Sequence, residues 1–144
     1  MSLKDQLIED MKQAMRARDA FKLGVIRFVL ADIKNLEIDK GPQDDESTLK
    51  LIQSQVKKMK EAIIDFARGK RDDLVEEEEK KIAILQTYLP QQMSEEDLMN
   101  VVKDVVNKSS SREIGPLTGM VLKEVKGKAD GNRVGAAIRQ HLGQ

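Results

Sequence analysis

Hydrophobic residues recur every three or four positions along most of the chain, which is the spacing of amphipathic α-helices. The pattern starts at Leu3 and continues, with short interruptions, to Leu142. No strand pattern competes with it. The valines of residues 101–106 favour β-structure by propensity, but a strong helix start precedes them and outweighs that preference. The sequence therefore predicts an all-α fold.

Four helices are predicted before residue 92, from residues that typically begin or end a helix. Serine and aspartate side chains cap helix N-termini, and glycine and proline end helices. The third and fourth helices are separated by so short a turn that we expect an antiparallel hairpin. The start positions are Ser2, Asp19, Glu46, and Asp72 or Asp73, and the end positions are Gly41-Pro42, Gly69 and Pro90.

The second of these helices, about residues 20–40, is apolar almost all round. Its hydrophobic positions include Phe21, Val25, Phe28 and Ile33, which lie on more than one face. A helix that is hydrophobic on every side is normally a buried one. We therefore expect the other N-terminal helices to wrap around it.

A helix end and a helix start follow each other directly in the segment LPQQMSEEDL, residues 89–98. Pro90 ends the fourth helix, and Ser94 is a suitable N-cap with Asp97 three residues later, as in a capping box. Met93 and Leu98 occupy the two positions of a hydrophobic staple. We place a domain boundary here, between a four-helix N-terminal bundle of residues 1–92 and a small three-helix C-terminal domain of residues 93–144.

The C-terminal domain is predicted to contain a fifth helix over about residues 95–108, followed by a serine-rich loop. Gly115-Pro116 starts the sixth helix, since proline suits the first helical position, and Gly127 ends it. Asp130 caps the seventh helix. The residues expected to face inward are Leu98, Val101, Val102, Val105, Val106, Val134, Ala137, Ile138 and Leu142.

Charge adds one feature that periodicity does not show. The formal net charge is zero, which excludes a uniformly basic nucleic-acid binder. Residues 71–107 carry four cations against ten acids, whereas residues 108–144 carry seven cations against three acids. The C-terminal end is thus a basic region on a neutral protein.

The cellular location is predicted from what the sequence lacks. Without cysteine, disulfides, thiol catalysis and cysteine-based metal sites are excluded. The N-terminus has no unbroken apolar segment of a signal peptide, and no window approaches the roughly eighteen apolar residues of a membrane span. We expect a cytoplasmic protein that does not bind membranes.

The usual arrangements of catalytic or metal-binding residues are missing. His141 has no acid or nucleophile near it in sequence, and Ser109–Ser111 has no adjacent base. The acids Glu76–Glu79 are consecutive, so on a helix they point in different directions instead of surrounding a metal ion. We therefore expect no catalytic residue, no metal and no cofactor, and catalysis by the chain alone is the weakest functional hypothesis.

A cluster of cations surrounds the predicted turn between the sixth and seventh helices. Lys126 and Lys128 flank Gly127, Lys123 lies one helical turn earlier, and Arg133 lies in the first turn of the next helix. Four converging cations would attract phosphate. The alternative is a turn whose lysines serve only solubility, and sequence physics alone gives the two interpretations equal weight.

Two neighbouring residues affect the choice between these interpretations. Asp130, as an N-cap, occupies the helix terminus that a phosphate would otherwise use, so the lysines would have to bind it. Gly119 lies inside the sixth helix, where glycine costs about 1 kcal/mol relative to alanine. It either permits a close crossing with helix five or seven, or lets the backbone of a ligand approach.

Several segments of the chain resemble the GatB/YqeY family. Residues 114–134, IGPLTGMVLKEVKGKADGNRV, are similar to the family's tail motif, and LPQQMSEEDL is similar to its interdomain junction. Residues 25–39 and 71–90 resemble its second and fourth helices. The similarity runs from about Leu3 to Leu142, and the whole chain is most similar to the stand-alone YqeY-like members.

The resemblance can be carried over residue by residue. The positions that match the tail motif are Gly119, Lys126, Gly127, Lys128 and Asp130. Two positions depart from the pattern. Pro116 stands where a lysine is common, which removes one potential phosphate contact. Gly69 comes one position early before the fourth helix, which puts the geometry of that hairpin in doubt.

The resemblance implies a function in RNA binding. The same fold forms the tail of the B subunit of tRNA-dependent amidotransferase, where the tail helps to hold tRNA. Carbon–nitrogen ligase activity with glutamine as nitrogen donor belongs to other domains of that complex. We therefore expect a non-catalytic module that binds tRNA or other structured RNA through Lys123, Lys126, Lys128 and Arg133, with Gly119 and Gly127 in the same site.

The alternative is a protein-interaction module. It would dock on an aminoacyl-tRNA synthetase or an amidotransferase complex through the acidic face around Glu76–Glu79.

Overall fold

A computed structural model describes residues 1–143, and all regular structure in that part of the chain is helical. The predicted all-α fold is confirmed, including the helix over the valines of residues 101–106. The described residues form α1 (Leu3–Arg16), α2 (Ala20–Lys40), α3 (Asp45–Arg68), α4 (Asp72–Gln86), α5 (Glu95–Lys108), α6 (Ile114–Val125) and α7 (Gly131–Leu142).

Four of the predicted N-caps are confirmed. The side chains of Ser2, Asp19, Ser94 and Asp130 each accept a hydrogen bond from the backbone N–H three residues later. Ser2 forms a complete capping box, because the Asp5 carboxylate accepts from the Ser2 backbone in return. Local sequence chemistry therefore determines where these four helices begin.

Three helix boundaries differ from the prediction. Asp44 caps α3, so this helix begins at Asp45, one residue earlier than expected. Helix α4 ends at Gln86, and the Thr87 hydroxyl donates to the Ile84 carbonyl at 2.7 Å. That bond competes with helix continuation, and the residue before Pro90 is disfavoured in helical conformation. Pro116 is the third residue of α6, where the missing N–H still costs no intrahelical bond.

The chain divides into two compact units, the first covering Met1–Leu89 and the second beginning at Pro90. In the first unit, α3 and α4 form the predicted hairpin, and α2 contacts α1, α3 and α4. Polar links join helices that are distant in sequence, including the Tyr88 hydroxyl donating to Asp10 and Lys4 pairing with Glu37 at 2.8 Å. The buried core is Leu7, Val25, Ile26, Val29, Ile33, Ile52, Val56, Ile82 and Leu85.

The expectation that α2 is enclosed on every side is wrong. Val25, Ile26, Val29 and Ile33 are buried, but Phe28 is 59% exposed and Ile38 is 75% exposed. Helices α1, α3 and α4 pack against the side of α2 that carries the buried residues and leave the other side uncovered. Large apolar side chains of α2 therefore face solvent among its exposed polar residues.

The second unit is a bundle of α5, α6 and α7, each of which packs against the other two. Its interior is aliphatic throughout. Met93 and Leu98, the predicted staple residues, both join this core. The buried residues are Leu98, Val102, Val105, Val106, Leu117, Val121, Val125, Ala129, Val134, Ala137 and Ile138.

Candidate functional site

The turn between α6 and α7 has an unusual backbone at a lysine. Helix α6 ends at Val125, and its C-cap, Lys126, lies in the left-handed region with φ 50° and ψ 48°. Gly127 follows with φ 85°. A left-handed conformation costs a residue with a Cβ atom roughly 1–2 kcal/mol more than glycine. Lysine at this position is thus tolerated at a cost in stability.

Three of the four predicted cations are open to solvent. Lys123, Lys126 and Lys128 are all exposed. Among residues 1–143, none of their ammonium groups lies within salt-bridge distance of a carboxylate. Their charges are therefore available to an external anion.

Main-chain hydrogen bonds fix the position of this turn. The Lys128 carbonyl accepts from the Met93 N–H at 2.8 Å, and the Gly127 carbonyl accepts from the Gln92 side chain at 3.4 Å. Ala129, next to Lys128, is buried in the core. The turn is thus anchored to the segment that precedes α5, while its lysine side chains remain outside.

The fourth cation, Arg133, is engaged within the unit. Its guanidinium donates to the Met93 carbonyl at 2.7 Å and to the Glu95 carboxylate at 2.9 Å, with a further bond of 3.4 Å to Gln92. Its backbone N–H donates to the Asp130 cap at 2.8 Å. Arg133 therefore braces the same segment that anchors the turn. A contact between Arg133 and RNA stays a prediction.

Gly119 does not lie in a close helix crossing. An ideal Cβ built on it would have no atom within 4 Å, and the same is true of Gly115, one turn earlier. The packing interpretation of Gly119 is therefore wrong, because no neighbouring helix approaches it. Gly115, Gly119 and Lys123 are spaced four residues apart and lie on one exposed face of α6.

The sequence did not predict this exposed face of α6 as part of the site. The four-residue spacing was visible, but whether glycines at that spacing face a neighbouring helix or solvent depends on the tertiary packing. The structure shows that these glycines face solvent, on the helix face that ends at the turn with Lys126 and Lys128. We call Gly115, Gly119, Lys123, Lys126 and Lys128 the glycine–lysine surface.

The described part of the chain offers neither a metal-binding cluster nor a helix that could span a membrane. Residues 1–143 contain no group of three or more acidic or histidine side chains placed to hold a metal ion. None of the helices in that range combines the length and the apolar character that crossing a bilayer requires. The loop after α5 is organised by Arg112, whose guanidinium donates to the Val106 carbonyl at 3.0 Å.

Comparison with known proteins identifies one family. Residues 4–142 match the family model described as Yqey-like protein. The match extends from the first turn of α1 to the last residue of α7, so the resemblance found in the sequence is confirmed.

Curated relatives of similar sequence come from fungi. A protein named altered inheritance of mitochondria protein 41, mitochondrial, from Pyrenophora tritici-repentis is 32% identical over 96% of this chain and 80% of its own length. Proteins of the same name from Kluyveromyces lactis and Clavispora lusitaniae are 37% and 29% identical over 86% of the chain. The matched part covers 67% and 74% of those two proteins.

The names of these relatives correct the prediction of a cytoplasmic location, which is wrong. All three are named as mitochondrial proteins. The expectation rested on features of the sequence that do not distinguish cytoplasm from mitochondrion.

Proposed function

The chain belongs to the YqeY-like family, and from this premise we propose that it is a non-catalytic module that holds structured RNA, with tRNA as the first RNA to test. The observation that carries the proposal is the glycine–lysine surface, where three lysines without an ion pair among residues 1–143 lie beside a smooth helix face. The proposal includes no ligase activity.

The lysines supply the electrostatic part of the binding. Phosphate contacts by lysine release counterions from the nucleic acid and dominate its affinity. The main chain at Lys126 and Lys128 is held by hydrogen bonds to Leu122 and Met93. Positions fixed before binding reduce the entropy cost of binding. The turn therefore suits a phosphate backbone that passes over it.

The glycines supply close approach. A side chain at Gly115 or Gly119 would stand between the α6 backbone and anything that lies along it, whereas glycine leaves that space open. A ribose–phosphate chain can therefore approach the helix and still contact Lys123.

The absence of stacking residues indicates which RNA is preferred. Phe21, Phe28, Phe66 and Tyr88 are the only phenylalanine, tyrosine or tryptophan residues of the sequence, and all precede the second unit. Proteins that bind unstructured single strands stack bases on aromatic side chains. We therefore expect folded RNA, recognised by its backbone and shape, to bind more tightly than a poly-pyrimidine strand.

The experiment compares two double variants that remove the same charge. In Lys126→Ala/Lys128→Ala, the salt dependence of tRNA binding should become shallower by roughly 0.7 to 0.9 in log–log slope for each phosphate that the variant no longer neutralises. The control is Lys103→Ala/Lys108→Ala. These lysines lie roughly 12–20 Å along α5 from its start, whereas the turn with Lys126 and Lys128 is anchored just before that start. In the control the slope should therefore hardly change. Filter binding at several salt concentrations measures both.

The outcome distinguishes a specific surface from general charge. If the salt slope became shallower by the same amount in both variants, only net charge would matter. If the slope changed in neither variant, the lysines would serve only solubility. Surface changes are usually worth within about 0.5 kcal/mol, so the melting temperature should stay nearly constant in both variants.

A further inference from the structure

The exposed side of α2 carries a regular apolar row in the first unit. Phe21, Gly24 and Phe28 follow the three-and-four spacing that places residues on one helix face. Phe21 is 38% exposed and Phe28 is 59% exposed. An ideal Cβ on Gly24 would have no atom within 4 Å, so there is an open gap between the two phenyl positions.

This row borders a cavity of about 560 Å³ among α2, α3 and α4. The apolar part of its lining comes from Ala20, Phe21, Gly24, Val25, Phe28 and Met59. The volume lies in the usual range for ligand sites, about 300–1,000 Å³. The row is therefore one wall of a concave surface and not an isolated pair of exposed rings.

Gln55 on α3 lines the same cavity and is only 5% exposed. Its side-chain N–H group donates to the Asp32 carboxylate at 2.5 Å. Its Oε1 is buried and has no hydrogen-bond partner among residues 1–143. A buried acceptor without a partner is unfavourable, so within the described residues Gln55 leaves one polar atom unsatisfied beneath the cavity wall.

Charges on the two side walls differ in sign. Glu78 is already paired with Lys81 at 3.0 Å. Glu77 on α4 and Lys58 on α3 also line the cavity, and neither forms an ion pair within residues 1–143. An occupant that carries a cation on one flank and an anion on the other would complement both walls.

From the apolar row, the cavity and the two charges on its walls that form no ion pair within residues 1–143, we propose that the cavity is the docking site of an amphipathic helix from a partner protein. A bulky aliphatic residue of that helix fills the gap over Gly24, between the two phenylalanines. Its flanking basic residue pairs with Glu77, and its flanking acidic residue pairs with Lys58.

The geometry favours a helix over a nucleobase. Residues seven apart on a helix are about 10 Å apart along its axis, whereas a base stacked between two rings needs about 7 Å, twice the step of roughly 3.4 Å between stacked bases. The lining carries three carboxylates, Asp32, Glu77 and Glu78, against the two cations Lys58 and Lys81, so its net negative charge also disfavours phosphate. A helix with side chains every turn matches the spacing of the row.

Photo-crosslinking in cells tests the proposal. Phe28 is replaced by the photoreactive analogue p-benzoyl-phenylalanine in the full-length chain, and Ile38, which is 75% exposed but outside the cavity lining, is replaced likewise as a control. The expected result is a protein adduct at position 28 and not at position 38. The crosslinked peptide should carry aliphatic residues at three-and-four spacing with lysine or arginine on one flank.

The affinity of that identified partner then gives the second measurement. Phe28→Asp should weaken it at least about tenfold, as expected for an aromatic anchor, and Ile38→Asp should leave it unchanged. No adduct, an adduct only with RNA, an adduct of twice the mass of the chain, or equal effects of the two aspartates would each overturn the proposal. The adduct should persist in Lys126→Ala/Lys128→Ala, so this result is independent of RNA binding.

Discussion

The two units differ in how completely they bury their apolar residues. The second unit places eleven residues in one aliphatic core cluster, whereas the core cluster of the longer first unit holds nine, and that unit leaves Phe28, Ile38 and Ile64 more than half exposed. The difference teaches that the units present different surfaces. The second unit buries its apolar residues and exposes lysines. The first unit exposes large apolar side chains that its own helices do not cover.

The largest effect should come from residues on opposite sides of α2. Ile26→Ala removes a fully buried side chain and should lower the free energy of unfolding by about 2–5 kcal/mol. Phe28→Ala removes a larger side chain but should change it by less than about 0.5 kcal/mol, because that ring is mostly exposed. Thermal or urea unfolding followed by circular dichroism compares them. A large decrease for Phe28→Ala would mean that the ring stabilises the unit itself.

The next effect concerns the brace of the second unit. Arg133→Ala removes the donors to the Met93 carbonyl and Glu95, and hydrogen bonds of this charged kind contribute roughly 1.5–3 kcal/mol. We expect unfolding to become easier by about 2 kcal/mol at most, since Glu95 is exposed and solvent screens the pair. Urea unfolding measures this change. If stability stayed constant while RNA affinity fell, Arg133 would be a direct RNA contact.

A third prediction uses one glycine from each unit. Gly119→Ala and Gly24→Ala both place a methyl group in open space on a helix, and each should raise stability by up to about 1 kcal/mol. Only Gly119→Ala should weaken tRNA binding, measured by filter binding, since only Gly119 belongs to the glycine–lysine surface. Unchanged affinity in Gly119→Ala would remove the glycines from the proposed site and leave the lysines alone.

The smallest expected effect is a pH dependence of stability, which one N-cap contributes and another does not. A hydrogen bond from the Ser47 backbone N–H, with a second from its hydroxyl, holds the pKa of Asp44 below its ordinary value of 3.8. The stabilisation by Asp44 is therefore present above that ordinary value and is lost as the pH falls through the lower folded-state value. Ser94, the corresponding cap of α5, does not titrate there.

Replacement of Asp44 by asparagine tests this sign. Asparagine caps as well as aspartate but carries no titrating group, so Asp44→Asn should have a melting temperature that falls less between about pH 5 and pH 3. Parallel pH profiles for the two proteins would exclude a contribution from this cap.

The helices could be predicted because their start signals are local. Ser2, Asp19, Ser94 and Asp130 each make the capping bond that their position in the sequence indicates. The exposure of Phe28 could not be predicted, because an apolar residue does not reveal whether a neighbouring helix covers it. The end of α4 lies a few residues before Pro90, because the Thr87 hydroxyl competes for the Ile84 carbonyl and the residue before a proline disfavours helical conformation.

The candidate site was predicted in part for a similar reason. Lys126 and Lys128 could be placed in a turn from the glycine between them and from Asp130 after them. The brace of Arg133 on Met93 joins residues forty positions apart, and no local pattern indicates such a contact. The open faces over Gly24 and Gly119 likewise depend on where other helices are absent.

The bond between Met93 and Lys128 has a consequence for how this surface can change in evolution. It joins two main-chain atoms, the Met93 N–H and the Lys128 carbonyl, so it does not depend on which side chain stands at position 128. Substitutions at position 128 can therefore change the charge of the turn without removing the bond that holds its shape. Related chains can replace the lysine, and with it the charge of the surface, by single substitutions that leave this anchor in place.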